Sequence, residues 1–169
     1  MSEAAPSASV SRPIRVLVLH GPNLNLLGER EPDVYGHFTL DEIDRRIEQR
    51  ARELGLEVRA AQSNLEGDLV TAIQEARHWA DGIIINAAGY SHTSVAIRDA
   101  IAAVRIPTVE VHLSNPAARE SFRQTSIVAG ACTGVIAGFG WRSHVMALEA
   151  LAAMVGDPPS RVDSRFRPR

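Results

Sequence analysis

Short apolar runs rich in β-branched residues alternate with amphipathic stretches along most of this 169-residue chain. Amphipathic stretches between such runs are typical of a parallel sheet that carries helices on both faces. The pattern predicts strands at 15–20, 57–62, 82–87, 108–113 and 133–139. The chain is therefore expected to be a doubly wound α/β protein built from five strand–helix units.

Helix start signals agree with this pattern. Thr39 and Glu42 have the spacing of a capping box, which predicts that a helix begins there. The Asn115–Pro116 pair predicts an N-cap followed by a proline in the first turn of a short helix. A last helix is expected from about Trp141 to Val155. Units of this length predict a flavodoxin-like, three-layer α/β fold with a five-stranded parallel sheet.

The two ends differ in composition from the rest of the chain. Residues 1–13 are rich in Ala, Ser and Pro and lack the apolar core of a signal peptide, which predicts a disordered N-terminal tail. Residues 156–169 are expected to form a loose C-terminal tail. Between them, residues 14–155 are predicted to fold as one globular domain.

Charge and cysteine content exclude several classes of protein. A net charge of −2 argues against nucleic acid or an anionic membrane surface as the partner and favours a small molecule. All 18 basic residues are arginine, which excludes a Schiff-base lysine, a P-loop lysine and a pyridoxal phosphate anchor. The single Cys132 allows no internal disulfide, so a cytoplasmic location is expected.

Doubly wound sheets bind ligands at the carboxyl ends of their strands, where this chain places a set of polar residues. Arg30 and Tyr35 follow the first predicted strand, Asn86 and His92 the third, and His112 and Ser114 the fourth. Because these strand ends meet at one edge of the sheet, the residues are expected to share one site.

These side chains suit acid–base chemistry. Glu110 and His112 are two residues apart on a strand and share a face, so the carboxylate can orient the imidazole and keep it cationic. A tyrosinate base costs about 4 kcal/mol at neutral pH because the pKa of a phenol is near 10. The charge of Arg30 would reduce that cost for Tyr35. The set predicts proton abstraction next to a carbonyl, followed by protonation of a departing hydroxyl.

Glycines bracket the segment that carries Arg30 and Tyr35. Gly28 and Gly36, with Pro32 between them, are typical of a mobile loop that closes over a site and excludes water. We interpret this segment as a lid.

Two other classes of function remain open from the residues alone. The GFGWRS run at 138–143 partly matches a nucleotide-binding glycine motif, so a flavin- or nucleotide-binding module near Gly138 to Ser143 is one alternative. A tight turn between strand and helix is the plainer interpretation of that run. A metal-dependent hydrolase that uses His20, Glu110 and His112 is the other alternative, although the spacing matches no metal motif and no metal site is expected.

Five longer motifs resemble one enzyme family, the type II 3-dehydroquinate dehydratases. They are GPNLNLLGEREPDVYG, QSNLEGDL, NAAGYSHTSVAIRDA, EVHLSNPAARESFR and TGVIAGFG, which span most of residues 14–155 in this order. The resemblance implies a lyase that interconverts 3-dehydroquinate and 3-dehydroshikimate in the shikimate pathway. It also implies an anti elimination through an enolate, without a metal or a cofactor.

The resemblance also implies a role for each site residue. Tyr35 takes the C2 proton and Arg30 keeps it ionised, while Asn23 holds a water at the enolate oxygen. His112, backed by Glu110, protonates the leaving C1 hydroxyl. Substrate-binding roles fall on Asn86, His92, Leu113, Ser114 and Arg123, and Arg119 is a second, lid-side arginine.

The same resemblance implies an oligomer, with trimers assembled into a dodecamer. Asp99 matches a residue that reaches into a neighbouring subunit's site. Leu65 departs from the family, which often carries a polar residue or His at that position near subunit contacts.

Overall fold

The computed structural model describes residues 12–29, 33 and 37–156. It contains one five-stranded parallel sheet in the order β2-β1-β3-β4-β5. The strands are β1 (Arg15–His20), β2 (Glu57–Gln62), β3 (Gly82–Asn86), β4 (Thr108–His112) and β5 (Gly134–Ala137). The α-helices of the described part are α1 (Leu40–Glu53), α2 (Glu66–Ala76), α3 (Val95–Val104) and α4 (Arg142–Gly156). The predicted flavodoxin-like α/β architecture is confirmed.

The helices cover both faces of the sheet and enclose two apolar cores. On one face, Val16, Val18 and Ile84 of the sheet pack against α1 and α4. On the other face, Leu17 and Ile83 pack against α2 and α3. Alternate strand residues point to opposite faces, so the central strands β1 and β3 are apolar on both sides. This double burial explains the continuous apolar runs in the sequence.

Two helices begin at the capping residues that the sequence offers. In the capping box of α1, the backbone N–H of Thr39 donates to the Glu42 carboxylate at 2.8 Å, and the backbone N–H of Glu42 donates to Thr39 Oγ1 at 3.3 Å. Ser94 caps α3 by accepting from the backbone N–H of Ile97 at 2.9 Å. Each contact satisfies an N–H group that the first helical turn leaves unpaired.

The crossover from β4 to β5 differs from the expected strand–helix unit. Its described elements are 3-10 turns at Pro116–Ala118, Ser121–Arg123 and Ala129–Ala131. Asn115 caps the first of them by accepting from the backbone N–H of Ala117 at 3.1 Å, as its position before Pro116 predicts. The segment lacks a continuous apolar stripe, so a long helix here would have no face to bury.

The described part of the chain makes its first side-chain contact at Arg12, two residues before the predicted start of the domain. The Arg12 guanidinium donates to both carboxylate oxygens of Asp81, at 2.7 and 2.8 Å. This hydrogen bonding lowers the pKa of Asp81. The rest of both predicted tails, residues 1–11 and 157–169, lies outside the described residues. No helix among those described has the length and apolar character needed to cross a membrane.

Candidate active site

A cavity of about 140 Å³ opens at the carboxyl ends of β1, β3 and β4. β1 and β3 are neighbours in the sheet, and the chain leaves them in opposite directions, towards β2 and towards β4. The cavity therefore lies at the switch point where doubly wound sheets bind their ligands. Its lining comprises Pro22, Asn23, Leu24, Leu27, Asn86, Ala88, Gly89, His92, His112, Leu113, Ser114, Pro116, Arg119 and Arg123.

The turn after β1 presents Asn23 to the cavity in a left-handed backbone conformation, with φ at 67°. Asparagine tolerates this conformation better than most residues. The backbone N–H of Asn23 donates to Asn64 Oδ1 at 2.9 Å, and Gln62 Nε2 donates to the same oxygen at 3.1 Å. Asn64, after β2, therefore holds the Asn23 turn in place, with support from Gln62 at the end of β2.

The turn after β3 carries Asn86 and His92. Asn86 Oδ1 accepts from the backbone N–H of Ala88 at 3.1 Å, and Ala88 has a φ of 50° that non-glycine residues seldom adopt. His92 Nδ1 donates to the carbonyl oxygen of Thr125 at 2.8 Å. Because a carbonyl only accepts, Nδ1 carries the hydrogen, and the neutral His92 ring has Nε2 as its acceptor.

The end of β4 forms a histidine–carboxylate pair. His112 Nε2 lies 2.6 Å from Glu110 Oε1. The Glu110 side chain is completely buried, whereas 11% of the His112 side chain is exposed, on the cavity side. An ionised carboxylate only accepts, so Nε2 carries the hydrogen and the ring orientation is fixed. The pair has the geometry of a general acid held by its supporting carboxylate.

Two arginines give the cavity its positive charge. Arg119 and Arg123 line it, and no carboxylate appears among the described lining residues. Outside the cavity, Glu120 lies 3.4 Å from Arg119 Nε and 3.1 Å from Arg123 Nε. The pKa of Glu120 is lowered, first by its own backbone N–H and then by the charges of the two arginines. Arginine forks suit a carboxylate on a small ligand.

Most of the residues predicted for the site lie around this one cavity. Those in the lining are Asn23, Asn86, His92, His112, Leu113, Ser114, Arg119 and Arg123, and Glu110 lies directly behind His112. Asp99 is on the exposed side of α3 and is absent from the lining. Arg30 and Tyr35 lie outside the described residues, as do Pro32 and Gly36 of the predicted lid.

The geometry does not assemble the ligand set of the metal-hydrolase alternative. His20 Nε2 lies 2.8 Å from Asp44, whereas His112 faces Glu110. Within residues 12–29, 33 and 37–156, no group of three or more His, Cys, Asp or Glu side chains converges as metal ligands would.

The glycine-rich run after β5 forms a tight turn that packs against the end of β4. The backbone N–H of Gly140 donates to the carbonyl of Leu113 at 2.9 Å. The backbone N–H of Phe139 donates to Ser143 Oγ at 3.3 Å. These contacts use the turn for packing between strand and helix, as the plainer interpretation of the motif proposes.

Two residues of the β4–β5 crossover contact the site without having been predicted. Thr125 accepts from His92 through its carbonyl, and Ser126 lies within hydrogen-bond distance of both Glu110 oxygens. Neither residue follows a strand end or belongs to a motif with a recognised spacing. No sequence signal identifies them, because their contacts depend on the path of an irregular segment.

The fold and the site define the chain as a doubly wound α/β protein with a cavity and a histidine–carboxylate pair at its switch point. Comparison with known proteins gives a narrower assignment. Residues 14–152 match the family described as class II dehydroquinase. The 3-dehydroquinate dehydratase of Phenylobacterium zucineum (strain HLK1) is 57% identical over 145 residues, which covers 86% of this chain and 99% of that protein. The chain therefore belongs to the class II dehydroquinase family.

Other relatives agree with this assignment. The 3-dehydroquinate dehydratase of Geotalea daltonii is 54% identical over 138 residues, covering 82% of this chain and 96% of that protein. The crystal structure of the type II dehydroquinase from Butyrivibrio crossotus matches with a TM-score of 0.82 at 41% identity, covering 83% of this chain and 99% of that one.

Proposed function

We propose that this protein is a type II 3-dehydroquinate dehydratase, a lyase that reversibly converts 3-dehydroquinate to 3-dehydroshikimate in the shikimate pathway. The observation that carries the proposal is the His112–Glu110 pair, at 2.6 Å, beside a cavity lined by Arg119 and Arg123. It provides a supported acid and a cationic lining in a chain of the class II dehydroquinase family. The reaction needs neither a metal nor a cofactor.

The first step is abstraction of a proton from C2, next to the substrate carbonyl. Tyr35 is the base, and the permanent charge of Arg30 favours its ionised form. Loss of this proton places negative charge on the carbonyl oxygen as an enolate. A water held by Asn23, which lines the cavity, donates to that oxygen.

The second step is loss of the C1 hydroxyl, in an anti elimination. Hydroxide is a poor leaving group, so His112 donates a proton as the C–O bond breaks and water departs. Glu110 fixes the ring by accepting from Nε2, which leaves Nδ1 as the nitrogen for transfer. The carboxylate charge also stabilises the imidazolium before the proton is transferred.

The remaining lining residues bind the substrate. Arg123 pairs with the substrate carboxylate, and the backbone N–H groups of Leu113 and Ser114 add hydrogen bonds. Asn86 and His92 bind the ring hydroxyls, with His92 Nε2 as an acceptor. Arg119, which also lines the cavity, is the second, lid-side arginine that the family resemblance implies.

We also propose the assembly that the family resemblance implies, in which trimers associate into a dodecamer. In that assembly Asp99, exposed on α3, reaches the site of a neighbouring subunit. The mass of the protein in solution, measured by light scattering, tests this part of the proposal.

The reaction is tested by mixing chelator-treated protein with 3-dehydroquinate and following near-ultraviolet absorbance, because the product is a conjugated enone and the substrate is not. We expect the absorbance to rise. Tyr35→Phe and His112→Gln should remove nearly all turnover, whereas His78→Gln, at an exposed position outside the cavity, is the matched control. A flat trace from folded protein would refute the proposed function.

A further inference from the structure

Ser126 contacts Glu110 of the His112–Glu110 pair, the acid pair, and is absent from the lining of the substrate cavity. Its Oγ is 2.8 Å from Glu110 Oε1 and 3.0 Å from Glu110 Oε2. The same oxygen accepts from the backbone N–H of Ala129 at 3.1 Å. The carbonyl of Ser91 lies farther away, at 3.2 Å. With one lone pair engaged by Ala129, the hydroxyl hydrogen points to the carboxylate as its nearest acceptor.

A hydrogen bond at this position matters because Glu110 has no access to water. The exposed fraction of its side chain is zero. A buried carboxylate needs partners to remain ionised, and the described side chains that contact Glu110 oxygens are His112 and Ser126. Ser126 is therefore the neutral donor that supports the charge when His112 gives up its proton.

The segment that carries Ser126 is fixed at several points. The carbonyl of Thr125 accepts from His92 Nδ1, and the backbone N–H of Ile127 donates to the carbonyl of Ser91 at 2.9 Å. Arg98 of α3 donates to the carbonyl of Ile127, also at 2.9 Å. These contacts connect the segment to the turn after β3 and to α3. They fix the position of the Ser126 hydroxyl relative to Glu110 on β4.

We propose that Ser126 is a positioning residue for the dehydration, an inference that rests on the proposed function. Its hydroxyl completes a chain of hydrogen bonds from Ala129 through Ser126 and Glu110 to His112. The chain fixes the orientation of the carboxylate and, through it, the orientation of the acid. It also distributes the negative charge of Glu110, so that His112 releases its proton more readily.

The direction of the expected effect follows from the charge of the pair. When His112 is neutral, the pair carries one negative charge, and a donor to Glu110 stabilises that state most. Loss of the Ser126 hydroxyl therefore raises the proton affinity of the pair and makes His112 a weaker acid. We expect the alkaline limb of the pH–rate profile to move up by about one pH unit, which is a tenfold change in proton affinity.

The other titratable groups around the pair do not oppose this direction. Burial raises the pKa of Cys132 to about 12, with the charge of Glu110 adding to the effect, so its thiol stays neutral. Burial lowers the pKa of His144 on α4 to about 3, followed by the charges of His20 and His112, so it also stays neutral. The fixed charges of Arg119 and Arg123 and the His92 ring face the cavity in the wild-type protein and in the variant.

The experiment compares wild type with Ser126→Ala and Ser126→Thr, using 3-dehydroquinate as the substrate. For Ser126→Ala we expect kcat to fall about 10- to 100-fold, with KM nearly unchanged because Ser126 does not line the cavity. The alkaline limb of the pH–rate profile should move to higher pH. Ser126→Thr keeps the hydroxyl, so it should restore both kcat and the wild-type position of this limb. An unmoved limb in folded Ser126→Ala would overturn the inference.

Ser63 provides a matched control. It also donates to a carboxylate, Asp68, at 2.7 Å and accepts from the backbone N–H of Leu65 at 3.0 Å, but it lies on the exposed segment before α2. Ser63→Ala should leave kcat and the pH profile unchanged. An equal loss in both alanine variants would assign the effect to general destabilisation and would contradict a positioning role.

A measurement without turnover separates this inference from the proposed function. NMR of isotope-labelled histidine follows the His112 ring in the free enzyme, with His112→Gln used to assign its signals. The ring should titrate about one pH unit higher in Ser126→Ala than in wild type. Inactive wild type with this shift would refute the proposed function and leave the hydrogen-bond chain intact. Active wild type without the shift would refute the inference alone.

Discussion

Protonation of His144 is expected to destabilise the domain in mildly acidic solution. Its side chain is buried on α4, its ring centroid lies 5.3 Å from that of His20, and neither ring nitrogen has a hydrogen-bond partner within the described residues. Burial lowers its pKa from 6.5 to about 3, and the charges of His20 and His112 contribute. The folded protein therefore holds His144 in its neutral form.

The effect on stability follows from the difference between the folded and unfolded states. Between pH 6.5 and about pH 3 the unfolded chain binds a proton at His144 that the folded chain does not bind. The contribution to stability is therefore complete above pH 6.5 and decreases as the pH falls through this range. One pKa unit corresponds to about 1.4 kcal/mol. Because the loss begins near pH 6.5, where the unfolded chain takes up the proton, it amounts to about 2 kcal/mol between pH 7 and pH 5.

Urea unfolding at pH 7 and pH 5, at one fixed protein concentration, measures this loss. His144→Leu removes the titrating group, so the free energy of unfolding of this variant should fall by about 2 kcal/mol less than that of wild type over the same interval. His78→Gln, at an exposed position, should keep the wild-type pH dependence. Equal losses in wild type and His144→Leu would refute the assignment to His144.

Three further predictions concern packing, capping and catalysis. Gly21→Ala should lower the free energy of unfolding by about 2 kcal/mol in urea titrations, because a Cβ at this position would lie 2.6 Å from the Ala87 carbonyl oxygen. Gly67→Ala, in a helical turn where a Cβ meets open space, should raise the free energy of unfolding by about 0.5–1 kcal/mol. Thr39→Ala should cost about 1 kcal/mol in the same assay, and Thr39→Ser should restore most of it, because Thr39 caps α1. Glu110→Gln should lower kcat at least ~10-fold in the absorbance assay with little change in KM, and an unchanged kcat would contradict a supporting role for this carboxylate.

The sequence predicts the sheet well because its signals are local. The short apolar runs locate every strand of the described sheet, but β5 ends at Ala137, before the predicted residue 139, because Gly138 adopts a φ of 94° that ends the extended backbone. Asn86 and His112 lie at one cavity, as predicted from their positions at the carboxyl ends of parallel strands, because these ends all lie at the same edge of the sheet.

Contacts that depend on tertiary placement could not be predicted in this way. The His20–Asp44 contact requires α1 to lie over the end of β1, and the Ser126–Glu110 contact requires the irregular crossover to fold back onto β4. The apolar period gives no information on either distance. Asp99 shows the same limit, since its proposed partner belongs to another subunit and its own helix face is exposed.

The position of β5 at the border of the sheet has a mechanical consequence. β5 pairs with β4 alone, so one of its edges has unpaired backbone groups in the described sheet, and Val135 is exposed there. The crossover that carries Thr125 and Ser126 is anchored at one end by β4 and at the other by β5. A segment of another molecule that pairs with the free edge of β5 would add a strand to the sheet beside the end of this crossover, and no residue of β5 lines the substrate cavity.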